Sequence, residues 1–333
     1  MTLRLPPHIF SHIVTGAVLC AVVGGVCAFI KMSSDNNNKK NMSCANCGKT
    51  EEEGDDTKLK ECVACKMVKY CNRGCQIQHR PNHKKECKKR AAELHDEALF
   101  KQPPQNEDCP ICFVPLPKLH TTGSKYYACC GKVVCSGCIF AVKLSSKKRL
   151  CPFCRSPPAI TDEDDNKREE KRIELGDAIA LNAQGSHYSE GKFGYPQSHT
   201  KALELWHRAA KLGNSPAHYN IGICYYLGNG VIQDRKKAKY HYEKAAIGGH
   251  VDARFNLGSL ELNASRRIKH YLIAAGFGSD IAIEETKKLF MSGHATKKDY
   301  EAALHSRQAY LDSIKSDQRD KAAAFDYSQY RYY

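Results

Sequence analysis

Between residues 44 and 154 the cysteines recur in close pairs: Cys44-x2-Cys47, Cys62-x2-Cys65, Cys71-x3-Cys75, Cys109-x2-Cys112, Cys129-Cys130, Cys135-x2-Cys138 and Cys151-x2-Cys154. One histidine, in His83-x3-Cys87, takes the place of a cysteine. A short turn can aim two side chains two or three residues apart at one ion, each sulfur about 2.3 Å from it, which is how a tetrahedral metal site is spelled. Sixteen such ligands make four sites. Of the 18 cysteines, only Cys224 lies beyond residue 154, so the C-terminal half is a different kind of module. A disulfide framework would need an oxidising compartment and leaves His83 without a role.

The chain has 333 residues, enough for two or three domains. With 42% hydrophobic and 26% charged residues it is neither wholly disordered nor polytopic. The formal charge of +15 counts every cysteine as neutral. Fifteen thiolates and four zinc ions would bring it to about +8, a mild excess that does not call for a nucleic-acid partner.

The stretch 44–87 closely resembles the MYND zinc finger, through CANCGK, CVACKMVKYC, NRGCQIQHR and HKKEC. The resemblance implies a cross-braced fold, with Cys44, Cys47, Cys71 and Cys75 on one zinc ion and Cys62, Cys65, His83 and Cys87 on the other. It further implies a docking module for short proline-containing peptides, with no catalytic role. So small a module lacks a real core, and metal binding should supply its folding energy. Residues 88–102 read as a basic helical linker. Arg80, Lys84, Lys85, Lys88, Lys89 and Arg90 surround a single acid, Glu86. Nucleic-acid binding is disfavoured there, since stacking aromatics and a recognition motif are missing, and RAAELHDEALF reads as a solvated helix with Leu94, Ala98 and Leu99 packing on one side.

Residues 107–158, with CPIC, CCGKVVCSGC and CPFCR, resemble a RING-type finger of the all-cysteine kind. The resemblance implies Cys109, Cys112, Cys135 and Cys138 on one ion and Cys129, Cys130, Cys151 and Cys154 on the other. The adjacent Cys129-Cys130 pair departs from the family's usual spacing. Both bind one ion only if a local turn bends them together; otherwise one stays idle and water or a nearby polar group completes the site. RING fingers act as ubiquitin ligases by holding a charged ubiquitin-conjugating enzyme, and the positions carried over as its contacts are Ile111, Val142, Pro152 and Arg155. Many ligases carry tryptophan where this chain has Val142. Iron can also occupy four thiolates, so zinc rests on ligand type.

Residues 9–30, IFSHIVTGAVLCAVVGGVCAFI, contain no formal charge, and 22 residues can cross a hydrocarbon core of roughly 30 Å. The sequence thus predicts a single-pass hydrophobic helix. Lys31, Lys39 and Lys40 follow it and Arg4 alone precedes it, which leaves the zinc domains cytosolic. A signal peptide is the rival, but its apolar core is usually about 7 to 15 residues and VCAF offers no clear cleavage site. Translation starting at Met32 or Met42 would leave a cytoplasmic protein.

After the charged TDEDDNKREEKR the sequence repeats. Trp206 to Tyr242, Ala202 to Ala238 and Ala209-Ala210 to Ala245-Ala246 are each 36 residues apart, a period of stacked helical hairpins. With LGNGV, DRKKA, YEKAAIGGH and ARFNLG, the region resembles the SEL-one-like repeats, related to tetratricopeptide repeats. A third unit is seven residues short, and TKKLFMSGH and TKKDYEAALHSRQAYL lie in two further helices that read as a cap. Trp206, Tyr225, Tyr226, Tyr240 and Tyr242 read as packing residues. The tail AAAFDYSQYRYY has no periodicity and is expected to fray.

The fold class expected is therefore modular: an N-terminal hydrophobic helix, two small cross-braced zinc-binding domains, an all-α solenoid of helical hairpin repeats over 171–312, and a frayed tail over 313–333. The favoured function is a RING-type ubiquitin ligase with MYND and repeat surfaces for partners. The alternative is a membrane-anchored scaffold without transferase activity. A MYND-containing methyltransferase is disfavoured, because a second finger and repeats follow Cys87 and leave no room for its catalytic domain.

Overall fold

The computed structural model describes residues 43–51, 58–104, 107–118, 123–146 and 149–332. The hydrophobic segment 9–30 lies outside them, and among the described residues no helix is long and apolar enough to cross a membrane. The chain forms two compact units, Met1–Leu94 and His95–Tyr333.

In the first unit, β1 (Lys60–Glu61) pairs antiparallel with β2 (Lys69–Tyr70), with Lys60 opposite Tyr70 and Glu61 opposite Lys69. Cys44 bridges to Lys69. The long helix α1 (Arg73–Phe100) follows. The buried core is Cys44, Leu59, Cys62, Cys65 and Tyr70. Three of these five are candidate ligands, so apolar burial alone cannot hold the unit together.

The second unit opens with a hairpin of β3 (Ser124–Tyr127) and β4 (Lys132–Cys135), in which Ser124 faces Cys135 and Tyr127 faces Lys132. Helix α2 (Ser136–Ser145) follows, and Cys109, Leu116, Val134, Cys135 and Cys138 form the core beneath it.

Beyond it come α3 (Asp162–Glu174), α4 (Ala178–Glu190), α5 (His199–Lys211), α6 (Ser215–Leu227), α7 (Arg235–Ile247), α8 (Val251–Leu260), α9 (Ala264–Ala275), α10 (Asp280–Met291) and α11 (Lys297–Ile314). Their starts follow from capping. Asp177, Ser198, Asn214, Asp234, Asn263, Ser279 and Thr296 each stand at an N-cap and accept a backbone N–H of the first turn, which satisfies a donor the helix leaves orphaned. Left-handed Gly191 and Gly228 close α4 and α6.

Consecutive helices pair as hairpins, α4 with α5, α6 with α7 and α8 with α9, and fully buried Ala202, Ala209, Ala217, Ala238, Ala245, Ala246, Ala253 and Ala274 let them approach closely. The third hairpin shows where its seven residues went: α8 has 10 residues against 13 in α6, and the connection 261–263 is four shorter than 228–234. Glu261 occupies the shortened connection, 6% exposed, and accepts Lys239 Nζ at 2.9 Å and Arg266 Nε at 3.0 Å. Burial opposes its charge, yet these two cations hold its carboxyl below the usual glutamate range.

The tail departs from the sequence expectation. Rather than fraying, it forms α12 (Asp317–Phe325) and the short α13 (Tyr327–Tyr330), which pack on α2. Phe140 contacts Phe325 and Tyr330 at ring separations of 5.0 and 5.4 Å. Arg319 is fully buried and donates from Nη1 to the carbonyls of Pro115 (2.8 Å) and Ile314 (2.6 Å) and from Nη2 to that of Val114 (3.2 Å). The linker helix also ends in a packing role, since Leu99, fully buried, joins Ala238, Tyr242, Ala245 and Leu257.

Candidate metal centres

The structure brings the sixteen ligand side chains into four groups: Cys44, Cys47, Cys71 and Cys75; Cys62, Cys65, His83 and Cys87; Cys109, Cys112, Cys135 and Cys138; and Cys129, Cys130, Cys151 and Cys154. Within each group the ligand atoms lie within 4.8 Å of one another. The pairing is interleaved in both fingers, so each site ties together two segments distant in sequence.

Sulfurs at about 2.3 Å from a tetrahedral ion lie roughly 3.8 Å apart. The separations are of that size: Cys47 to Cys71 3.6 Å, Cys62 to Cys87 3.7 Å, Cys112 to Cys135 3.7 Å, Cys109 to Cys138 3.9 Å, Cys130 to Cys151 3.8 Å and Cys129 to Cys154 3.4 Å. His83 turns Nε2 toward Cys65 at 3.2 Å, as a mixed nitrogen and sulfur site requires. The donor sets fit zinc. Every tetrahedral position is filled by protein, so the ions brace the fold and leave no place for a reacting water.

One turn recurs at five of the eight ligand pairs, the other three lying at or within helices. The residue after the second cysteine sits in the left-handed region, Gly48 at φ 75°, Lys66 at 58°, Phe113 at 57°, Gly131 at 69° and Arg155 at 63°. Its N–H bonds back four residues, as Lys66 does to Cys62 and Arg155 to Cys151. Such turns point backbone N–H groups at the sulfurs. Although burial opposes it, the N–H groups of Cys47, Cys71 and Asn46 hold the Cys44 thiol down at about 6.

This turn brings adjacent Cys129 and Cys130 into one group. Gly131 N donates to Tyr127 O at 2.8 Å, curling residues 127–131 so that both sulfurs reach the pair from Cys151 and Cys154. The Arg172 guanidinium lies over the turn, and a Cβ at Gly131 would sit 2.2 Å from it. Arg172 is held by Asp177, which also accepts the Tyr126 hydroxyl at 2.8 Å, so the second finger is tied to the first repeat.

A histidine outside the ligand set supports the first finger. His79 stacks on His83 at 5.4 Å, and its Nδ1 lies 3.0 Å from the Tyr70 hydroxyl, which fixes the ligand ring from behind.

The positions carried over as conjugating-enzyme contacts fare unequally. Ile111 is 37% exposed and Arg155 is exposed. Val142 is half-buried and borders a cleft. Pro152 is buried. At the third position of its Cys-Pro-x-Cys, Phe153, at 43% exposure, is the counterpart of Ile111. Phe113, 75% exposed, is a second apolar residue that sequence reasoning missed, although both were visible as side chains flanking a knuckle cysteine.

Comparison with known proteins adds to this geometry. The MYND finger model matches residues 44–87, and the Sel1 repeat model matches residues 178–214 and 215–250. The chain carries a MYND finger and Sel1 repeats, both protein-interaction modules, and its second finger is consistent with a RING-like one. It is 36% identical over 84 residues to chitin synthase regulatory factor 3 of Schizosaccharomyces pombe, covering 25% of this chain and 9% of that protein. It is 37% identical over 71 residues to the E3 ubiquitin-protein ligase DA2 of Arabidopsis thaliana, covering 20% of this chain and 16% of the relative. The chain thus spans less than a fifth of the length of these curated relatives. Among solved structures it is similar to a Sel1 repeat protein from Oxalobacter formigenes, with 26% identity, 46% of this chain and 64% of that chain covered, and a TM-score of 0.40.

Proposed function

We propose that the chain is a ubiquitin ligase whose second finger holds a charged ubiquitin-conjugating enzyme while the MYND and repeat surfaces select protein partners, proline-containing peptides among them. The observation that carries this reading is the matched exposure of Ile111 and Phe153 at the third position of two knuckles, with Arg155 immediately after the last ligand. Apolar side chains held outward on a metal-braced turn give a rigid contact at little entropic cost. Partial similarity to a plant E3 ubiquitin-protein ligase supports it. The zinc ions would be structural, and bond-making would occur on the bound enzyme.

A second reading, a zinc-dependent scaffold without transferase activity, draws on the half-buried Val142 and the buried Pro152, which leave a smaller apolar face. In either case we place the zinc domains on the cytosolic side of a membrane held by residues 9–30, because thiolates persist in a reducing compartment. Alkaline carbonate extraction of the full chain tests that tether; release into the soluble fraction would overturn it.

The deciding experiment is autoubiquitination by the zinc-loaded full chain with a panel of conjugating enzymes, beside Ile111→Ala and Phe153→Ala. Chains lost in both variants at unchanged zinc content support the ligase. Silence across the panel with four zinc ions bound favours the scaffold.

A further inference from the structure

A cleft of about 690 Å³ opens between the second finger and the start of the repeats, with β3, α2, α3 and α4 as its walls. Lys125, Lys143, Arg149 and Arg168 line it, each from a different segment. Among the described residues none of the four has a carboxylate at ion-pair distance, although Asp326 feels the charge of Lys143. Two are fixed in place by other means: Lys143 Nζ donates to the Tyr330 hydroxyl at 3.3 Å, and Arg168 Nη1 to the carbonyl of Pro157 at 2.9 Å.

The acids in the cleft offset only part of this charge. Glu169, also in the lining, is 6% exposed, with Oε2 3.4 Å from His187 Nδ1. His187 is in turn packed between Phe193 and Tyr195, at ring separations of 4.6 and 5.9 Å. The lining thus sets two acids, buried Glu169 and exposed Asp165, against four cations.

We infer that this cleft is a docking site for an acidic peptide segment of a partner protein. Charges spread around the walls call for carboxylates spaced along a chain rather than a single compact anion. Between them Tyr126, Phe193, Tyr330 and Pro158 supply flat apolar surface for the peptide's intervening residues. Asp165 separates a peptide from a nucleic acid: a peptide can set a neutral or basic residue opposite it, whereas a polynucleotide carries phosphate at every step. Ile111 and Phe153 are not among the residues that line the cleft, and the inference does not depend on ligase activity.

The test is fluorescence anisotropy with the zinc-loaded full chain at 150 mM salt. The probes are a labelled eight-residue peptide of Asp and Glu with a central Leu, its Asn and Gln counterpart, and a labelled single-stranded oligonucleotide. Lys125→Gln with Arg149→Gln removes two exposed cations from the cleft, while Lys236→Gln with Lys287→Gln removes two exposed cations elsewhere. The acidic peptide should bind at least tenfold more tightly than its amide counterpart, weaken at least fivefold in the cleft variant, and change less than twofold in the distant one. Equal losses in both variants would mean attraction by net charge alone and overturn the site. Absence of binding to the acidic peptide, or tighter cleft-dependent binding of the oligonucleotide, would overturn the assigned partner.

Discussion

Gly222 on α6 stands against the ring of Tyr242 on α7 so closely that a Cβ there would lie 2.6 Å from both Cδ1 and Cε1. The same pairing of a glycine on the first helix with an aromatic on the second recurs as Gly185 with Trp206 and Gly258 with Tyr271. The repeats are therefore built on a fixed small-to-large fit, and the shortened third hairpin keeps it. Gly222→Ala should cost about 1–3 kcal/mol, because the ring has nowhere to move in a packed core. Trp206 is the single tryptophan of the chain, so its fluorescence reports unfolding of the repeats directly. Adding Tyr242→Leu should recover part of the loss, and a double mutant that merely sums the two single losses would refute the contact.

The metal sites give a counting prediction. Elemental analysis should find four zinc ions per chain, falling to about three in Cys129→Ser and equally in Cys130→Ser. A loss in only one of these variants would show that the turn at Gly131 does not deliver both sulfurs. Cys224, buried in the repeats away from the four groups, is the control, and Cys224→Ser should keep all four ions.

These residues also mark how far the sequence reaches. Ligand identity was legible from spacing, because a knuckle is a local object. The interleaved grouping came with the family resemblance. The convergence of adjacent Cys129 and Cys130 was not legible, since it comes with a left-handed glycine at 131 over which Arg172 of α3 lies. The exposure of Phe153 in CPFC was not legible for a similar reason: the hand of a tight turn is not written in its composition. The tail was misread because its anchor is Arg319, a charge that hydrophobic periodicity assigns to solvent. The 36-residue period was plain, but the glycines facing Trp206, Tyr242 and Tyr271 are easily taken for turn or helix-weakening residues until packing shows what they receive.

Acid should weaken the repeats through His270. The residue is fully buried on α9 with neither ring nitrogen bonded, against Phe100 at 4.8 Å. Burial, aided by the positive charges of Arg254, Arg266 and Lys239 and opposed by Glu261, drives it from its ordinary 6.5 to about 3. The unfolded chain takes up the proton first. Stability is thus complete above about pH 6.5 and falls as pH drops toward 3, by roughly 2 kcal/mol at pH 5. His241, driven to about 4 by burial and by His218 and His207, adds in the same direction. Urea unfolding followed at Trp206 should show a smaller loss between pH 7 and pH 5 in His270→Leu than in the parent. An equal loss would assign the acid sensitivity elsewhere.

Arg319 should couple the tail to the second finger. Its guanidinium satisfies the carbonyls of Val114 and Pro115, just after the ligand Cys112, and that of Ile314 at the end of α11. Its backbone also meets the finger closely, since a Cβ at Gly137 would lie 2.9 Å from Arg319 N. Arg319→Ala leaves a cavity and strands three carbonyls, a combination expected to cost about 3 kcal/mol or more. Arg319→Lys restores the charge but not the planar fork and should recover only a fraction. The distinguishing measurement is zinc release to a chelator, resolved by site with Cys109→Ser as a reference lacking the first site of this finger. Arg319→Ala should accelerate release from the group of Cys109, Cys112, Cys135 and Cys138 and leave the MYND sites at their parental rate. Unchanged release from the former would mean that the tail packs on the finger without supporting it.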